Sequence, residues 1–381
     1  MGSRRSQLVL LGLGHGHLQM LRDWPQQMRS GVDLTIIAPR PQCVYSGALA
    51  DVISGQRTRT QATLELQPLI EACGARWIPD RVMGLRAHER TLALQGDPER
   101  PLRFDWLSIN TGSSMDLGQL ELAMPGARGR VLPIRPLPRF LDYWERALET
   151  ASHRCIAVSV IGGGLGGIEL VLAIKRRLAQ SGAHASVSLV SGKAPADGIM
   201  GSAMRTQTAK ALRRAGIQVF PHDCVALADG ELQLSNGMRL CCDLPIVATG
   251  SRAPDWLRDS GLQLDAQGYV AVNAHQQSTS HLRVFAVGDV ASRIDHLASK
   301  TATQALQSGH GHAKRVWSAI QGLQIPQTQS QPERLQFVDT SDGRAIVQWA
   351  GRAVAGRWVK AWKRRRDDAI LSTWFAPPRA H

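Results

Sequence analysis

Leu8-Val9-Leu10-Leu11-Gly12-Leu13-Gly14-His15-Gly16-His17 decides how the chain begins to fold, and Val158-Ser159-Val160-Ile161-Gly162-Gly163-Gly164-Leu165-Gly166-Gly167-Ile168-Glu169 repeats its logic about 150 residues later. Each stretch reads as a short buried strand, a glycine-rich turn and a helix. Such a turn needs glycine because the backbone bends sharply and its N–H groups must approach a pyrophosphate at a helix N-terminus. In the first turn Gly12 and Gly14 fill two positions of G-x-G-x-x-G, but His17 stands where a third glycine would let the helix pack closely. In the second, Gly162, Gly164 and Gly167 complete the spacing, with Gly166 inside it. Glu169 follows in the first helical turn, where an acid is favoured by the dipole alone or touches the nicotinamide end of a cofactor.

Working outward, the first helix is expected to run to about Met28, and Asp33-Leu34-Thr35-Ile36-Ile37 is the next strand, so the opening unit is βαβ and its sheet parallel. Ala38-Pro39-Arg40 follows with no Asp or Glu to hold a ribose, which leaves Arg40 or main chain for that task. Beyond Val187-Ser188-Leu189-Val190, the run Ser191-Gly192-Lys193 also lacks a carboxylate, which tilts the second site toward NADPH. One apolar strand after each turn ends in Thr-Gly, at Thr111-Gly112 and Thr249-Gly250. Val284-Phe285-Ala286-Val287 ends on Gly288-Asp289, where the carboxylate accepts hydrogen bonds from ribityl hydroxyls. Two dinucleotide turns in this order, followed by that Gly-Asp, imply FAD reduced by NAD(P)H.

The expected fold class is α/β: two Rossmann-like (three-layer) dinucleotide-binding domains, the second inserted in the first, plus a small C-terminal α+β segment. The FAD-binding domain is expected over 1–124 and 265–325, the NAD(P)H-binding domain over 125–264, and an interface or membrane-surface segment over 326–381. With 381 residues, 43% hydrophobic and 20% charged, the chain suits a globular protein of two to three domains. No run of about 18 uncharged apolar residues is present, and no apolar leader precedes Leu8, so a cytoplasmic location is expected. The six cysteines form no framework, so reduced thiols are expected. Net charge is +14, concentrated at Lys175-Arg176-Arg177 with Arg213-Arg214, and at Lys360, Lys363, Arg364, Arg365 and Arg366. Such surface attracts anionic lipid, nucleic acid or phosphorylated cofactors, or is simply a solvated helix face.

These motifs resemble the two-dinucleotide-binding-domain flavoproteins of the pyridine-nucleotide disulfide reductase superfamily, which includes type II NADH dehydrogenases, sulfide:quinone reductases and apoptosis-inducing factor. Tyr45-Ser46-Gly47-Ala48-Leu49, Ile53-Ser54-Gly55 and the tail from Leu335 to Phe375 resemble in particular the NADH-dehydrogenase-like proteins sometimes fused to selenophosphate synthetase. Ala50-Asp51 replaces that group's usual Pro-Gly. The resemblance implies an FAD-dependent NAD(P)H oxidoreductase passing electrons to a small acceptor, most readily a quinone. The alternatives are a soluble reductase or oxidase of a biosynthetic or sulfur/selenium pathway, and a redox sensor, which alone would call for nucleic acid. Expected cofactor contacts are Gly12, Gly14, His15, Gly16, His17, Arg40, Val82, Thr111, Gly112, Gly162, Gly164, Gly166, Gly167, Glu169, Thr249, Gly250, Gly288, Asp289, Thr301 and Ala302.

Lys300 and Tyr45 are the catalytic candidates: Lys300 adds positive charge near the flavin or is an exposed cap, and Tyr45 shapes the acceptor site or simply packs. Cys43 stands alone where a disulfide reductase resembles Cys-x4-Cys, and one thiol cannot form that redox disulfide. Cys241-Cys242 reads as structural. His15-x-His17 and His310-x-His312 lack completing ligands, so no metal is expected. Trp358 and Trp362, four apart among basic residues, form either a face lying in a bilayer surface or a dimer or active-site lid.

Overall fold

In the computed structural model, which describes residues 5–24, 28, 31–115, 117–195, 201–250, 252–296, 300, 302–328, 335–349 and 351–375, the strand Ser6–Leu11 lies at the centre of a five-stranded parallel sheet. It pairs with Val32–Ile37 on one side and Trp106–Ile109 on the other, and Arg76–Ile78 and Val284–Ala286 form the edges. Leu8 to Leu11 are all buried, as an unbroken apolar run requires when both faces of a parallel sheet are covered.

The second sheet is arranged alike around Ile156–Ile161, with Ala185–Val190 and Gln218–Phe220 on one side and Leu244–Val247 on the other, except that its outer edge, Leu132–Pro133, precedes the central strand in the chain. It is built between the fourth and fifth strands of the first sheet. The chain therefore forms two Rossmann-like α/β dinucleotide-binding domains with a small C-terminal α+β segment.

Three antiparallel tail strands, Leu335–Asp339, Ala345–Trp349 and Arg352–Gly356, lead into the helix Arg357–Phe375. Val338 and Ile346 join the core of the inserted sheet, whereas Leu371 joins the core that holds Tyr45 and Leu10, so the tail clamps the two halves together.

Two elements depart from the sequence reading. The first helix spans His15–Arg22 and caps at Asp23, short of Met28, because Trp24 precedes Pro25 and a residue before proline is steered out of the helical region. Lys360 and Lys363, read as basic surface, point inward instead. Lys360 Nζ binds Asp51 and Asp339, and Lys363 Nζ donates to Asp367 (2.8 Å) and the Gly47 carbonyl (2.9 Å).

Candidate active site between the two glycine turns

Both glycine turns sit at the carboxyl ends of their central strands, and the fold points them at each other. Gly12 has φ +88°, and a Cβ there would stand 2.6 Å from the Asn110 carbonyl; Gly162, at φ +133°, would meet Ala248 at the same distance. Only glycine allows either crossing. Each turn opens a helix with a glycine at its N-cap, which offers no capping side chain of its own; in the first helix Asn110 takes the His17 N–H, leaving the N–H groups of His15 and Gly16 for an anion.

The third motif position differs between the turns for a visible reason. A Cβ on Gly167 would lie 2.0 Å from the Gly162 carbonyl, so the second helix packs directly on its turn. His17 fills the corresponding space with a ring that hydrogen-bonds the Gly12 carbonyl (2.6 Å) through Nδ1. A carbonyl only accepts, so Nδ1 carries the proton and Nε2 accepts from Ser108 Oγ (2.8 Å). Burial lowers the His17 pKa to about 4, so the ring is neutral. It therefore braces the turn from beneath. His312 approaches the same Ser108 hydroxyl (2.8 Å) from the other side, which brings the two His-x-His runs together around one serine.

Asn110, not singled out from the sequence, ties the site together. Its Oδ1 accepts from the His17 N–H (2.9 Å) and its Nδ2 donates to the Val287 carbonyl (2.6 Å), joining the first turn to the segment before Gly288-Asp289. The Thr-Gly segments are joined by a reciprocal backbone pair between Ser114 and Arg252, 2.9 Å each way.

A cleft of about 220 Å³ lies where these pieces meet. Gly14, His15, Gly112 and Asp289 face it from the first domain, and Gly166 and Glu169 from the second. Gly166 has nothing within 4 Å of a built Cβ, so the second turn leaves open space there. Arg135, also missed from sequence, donates to Asp289 (2.8 Å) and Ser113 (2.9 Å). Burial raises the Glu169 pKa to about 7, against the opposing pull of Lys363 and the Asp339 N–H, which reaches Glu169 Oε1 at 2.7 Å.

Other expected residues lie around this cleft or away from it. Tyr45 is buried, donates to Asp367 (2.9 Å) and meets the edge of the His15 ring at 5.9 Å, so it backs the first turn. Lys300 is engaged by the Ala291 carbonyl (2.7 Å) and the Tyr269 ring (3.6 Å) and does not line the cleft. The helix Ala302–Gly309 does reach it, through Ala305. Thr301 lies outside the described residues. Arg40 is exposed beyond the second strand, Val82 packs against the core of the first domain, and Thr249 and Gly250 are exposed beside the Gly162 turn.

Burial pushes the Cys43 thiol up to about 12, which suppresses its nucleophilic thiolate. Among the described residues no group of three or more His, Cys, Asp or Glu side chains is arranged to hold a metal.

FAD fits this setting on two counts. His15 Nε2 and Thr111 Oγ1 are buried without a partner, and both residues adjoin the first turn. Gly112, which lines the cleft beside Thr111, has nothing within 4 Å of a built Cβ, so open space adjoins those two atoms.

Fold and site together define a two-dinucleotide-domain flavoprotein. Residues 6–309 match the family of pyridine nucleotide-disulphide oxidoreductases, and the chain belongs to it. It is similar to demethylphylloquinone reductase NdbB of Synechocystis sp., with 23% identity over 370 residues covering 93% of this chain and 90% of that protein. Among solved structures it resembles NDH2 of Plasmodium falciparum in complex with NADH (TM-score 0.77, 12% identity, 98% of this chain and 99% of that one). It also resembles the sulfide:quinone oxidoreductase of Aquifex aeolicus (TM-score 0.76, 15% identity, 97% and 91%). The protein is an FAD- and NAD(P)H-dependent oxidoreductase.

Proposed function

We propose that the protein oxidises NADH and delivers the electrons to a quinone. The observation that carries this reading is the shared cleft, where Gly14, His15 and Asp289 of one nucleotide turn face Gly166 and Glu169 of the other. The likeness to demethylphylloquinone reductase NdbB supports the choice of acceptor. Bound FAD supplies the capacity to take hydride and release electrons. The chain's own residues orient and insulate it. The N–H groups of His15 and Gly16 at the start of His15–Arg22 would hold its pyrophosphate, and Asp289, held by Arg135, would accept ribityl hydroxyls. Glu169 holds a proton near neutrality at the second turn.

The lean toward NADPH rested on a missing acid after Val190. In space an acid is present: Asp223 Oδ1 lies 2.6 Å from where a Cβ on Gly192 would stand, at the end of the strand Ala185–Val190. That carboxylate favours the ribose 2′-hydroxyl of NADH over a 2′-phosphate. Asp223→Asn is expected to shift the NADH-to-NADPH ratio of kcat/KM toward NADPH by about tenfold, the scale of one such contact. An unchanged ratio would return the choice to Lys193.

Anaerobic stopped-flow absorbance tests the function. NADH should bleach the flavin band, and a soluble ubiquinone analogue should restore it at the steady-state rate. A reduced flavin that quinone does not reoxidise would rule the acceptor out.

A further inference from the structure

Beside the cofactor cleft, a larger groove of about 570 Å³ runs between the helix Leu137–Ala151 and the edge strand Leu132–Pro133 of the inserted sheet. Five arginines line it: Arg130, Arg135, Arg139, Arg146 and Arg154. Among the described residues its lining has one carboxylate, Asp243, already bonded to Arg154 (2.9 Å) and the Ala157 N–H (2.7 Å).

The helix sorts its charges by face. Asp142 and Glu145 turn to Arg59, at 2.6 and 3.6 Å. Arg139, Tyr143, Arg146 and Thr150 recur at helical spacing along the groove side. Arg139 and Arg146 both lean on the Tyr143 ring, with guanidinium carbons 5.7 and 5.8 Å from its centroid. Among the described residues neither has a carboxylate at ion-pair distance. Two like charges held on one ring beside the apolar side chains of Leu132, Ile156 and Leu244 are poised for an anion.

We infer that this groove binds a small ligand bearing a diphosphate. Guanidinium forks match phosphate oxygens two by two, and the volume falls in the range of small-molecule sites. Arg135 lines both this groove and the cofactor cleft, where it holds Asp289. A diphosphate that draws on Arg135 loosens its grip on Asp289, so occupancy of the groove is reported at the flavin. That coupling rests on the reading of the cleft as the FAD site; binding in the groove does not.

The test is isothermal titration calorimetry of the FAD-loaded protein with inorganic pyrophosphate, with NAD+ present to fill the nicotinamide site. Saturable binding is expected, weakened about tenfold or more in Arg139→Gln/Arg146→Gln, which removes both guanidinium groups and keeps polar side chains, with the rate of flavin reduction by NADH unchanged. Arg146→Gln alone serves if the double variant does not fold. Tighter binding of ADP than of pyrophosphate would assign a nucleotide, and equal binding the diphosphate alone. No saturable binding at millimolar pyrophosphate, or equal affinity in the variants, would overturn the site. Pyrophosphate should also shift the flavin absorbance band in the wild type and not in the double variant, and binding without that shift would overturn the coupling.

Discussion

At the residue scale, His17 and Gly167 show one position of the turn solved in two ways. The first turn exchanges a glycine contact for a histidine hydrogen bond, and the second keeps glycine and adds an acid two residues later. Glu169 carries a pH signature. Its pKa is about 7 in the fold against 4.5 when free, so the unfolded chain loses the proton first and stability falls as pH rises from about 4.5 to 7, then levels off. The full penalty is at most about 3 kcal/mol. Glu169→Gln keeps an acceptor for the Asp339 N–H and removes the penalty. It should therefore melt above the wild type at pH 8 and level with it near pH 4. Thermal melts at both pH values check this, and a difference of equal size at both would show that the raised pKa is not the cause.

At the scale of elements, the strands and turns of both sheets were legible because their signals are local: an apolar run, a glycine pair, a helical pattern. The residues that assemble the site were not. Asn110 acts on His17 from 93 positions away, Arg135 on Asp289 from 154, and Lys360 on Asp51 from 309. Nothing near Lys360 in sequence separates it from its exposed neighbours, and its burial follows only from how the helix Arg357–Phe375 docks. Likewise the acid after Val190 was absent in sequence but present in space as Asp223. Lys360 stands between two buried carboxylates, so Lys360→Met leaves both uncompensated and should cost about 3–5 kcal/mol. Asp51→Asn with Asp339→Asn in that background should restore most of the loss. Urea unfolding followed by fluorescence measures both. A Lys360→Met midpoint equal to wild type would mean that the tail helix is not locked by this triad.

At the scale of the whole molecule, the tail both clamps the two halves and presents a face of its own. Among the described residues no helix is long and apolar enough to cross a membrane. Yet Trp349, Val354, Trp358 and Trp362 are 66%, 47%, 59% and 40% exposed. Trp358 and Trp362 stack at 6.5 Å, and Trp362 meets Phe337, which lies beside Val347 and through it Val354 in the tail sheet, so these groups form one patch. Exposed Arg352, Arg357, Arg364 and Arg365 lie along the same strand and helix. With a chain charge of +14, aromatic groups beside arginines match the headgroup layer of an anionic bilayer, where each basic residue near the surface contributes about 1 kcal/mol. The same tail reaches the cofactor turn, since Trp374 lies 5.7 Å from the His15 ring. The protein is expected to cosediment with vesicles containing phosphatidylglycerol, weakly with phosphatidylcholine alone, and less as salt rises. Trp358→Ser/Trp362→Ser should abolish cosedimentation while leaving reduction by NADH intact, because neither ring touches the cleft. Equal partition of wild type and variant would assign the patch to something other than a membrane.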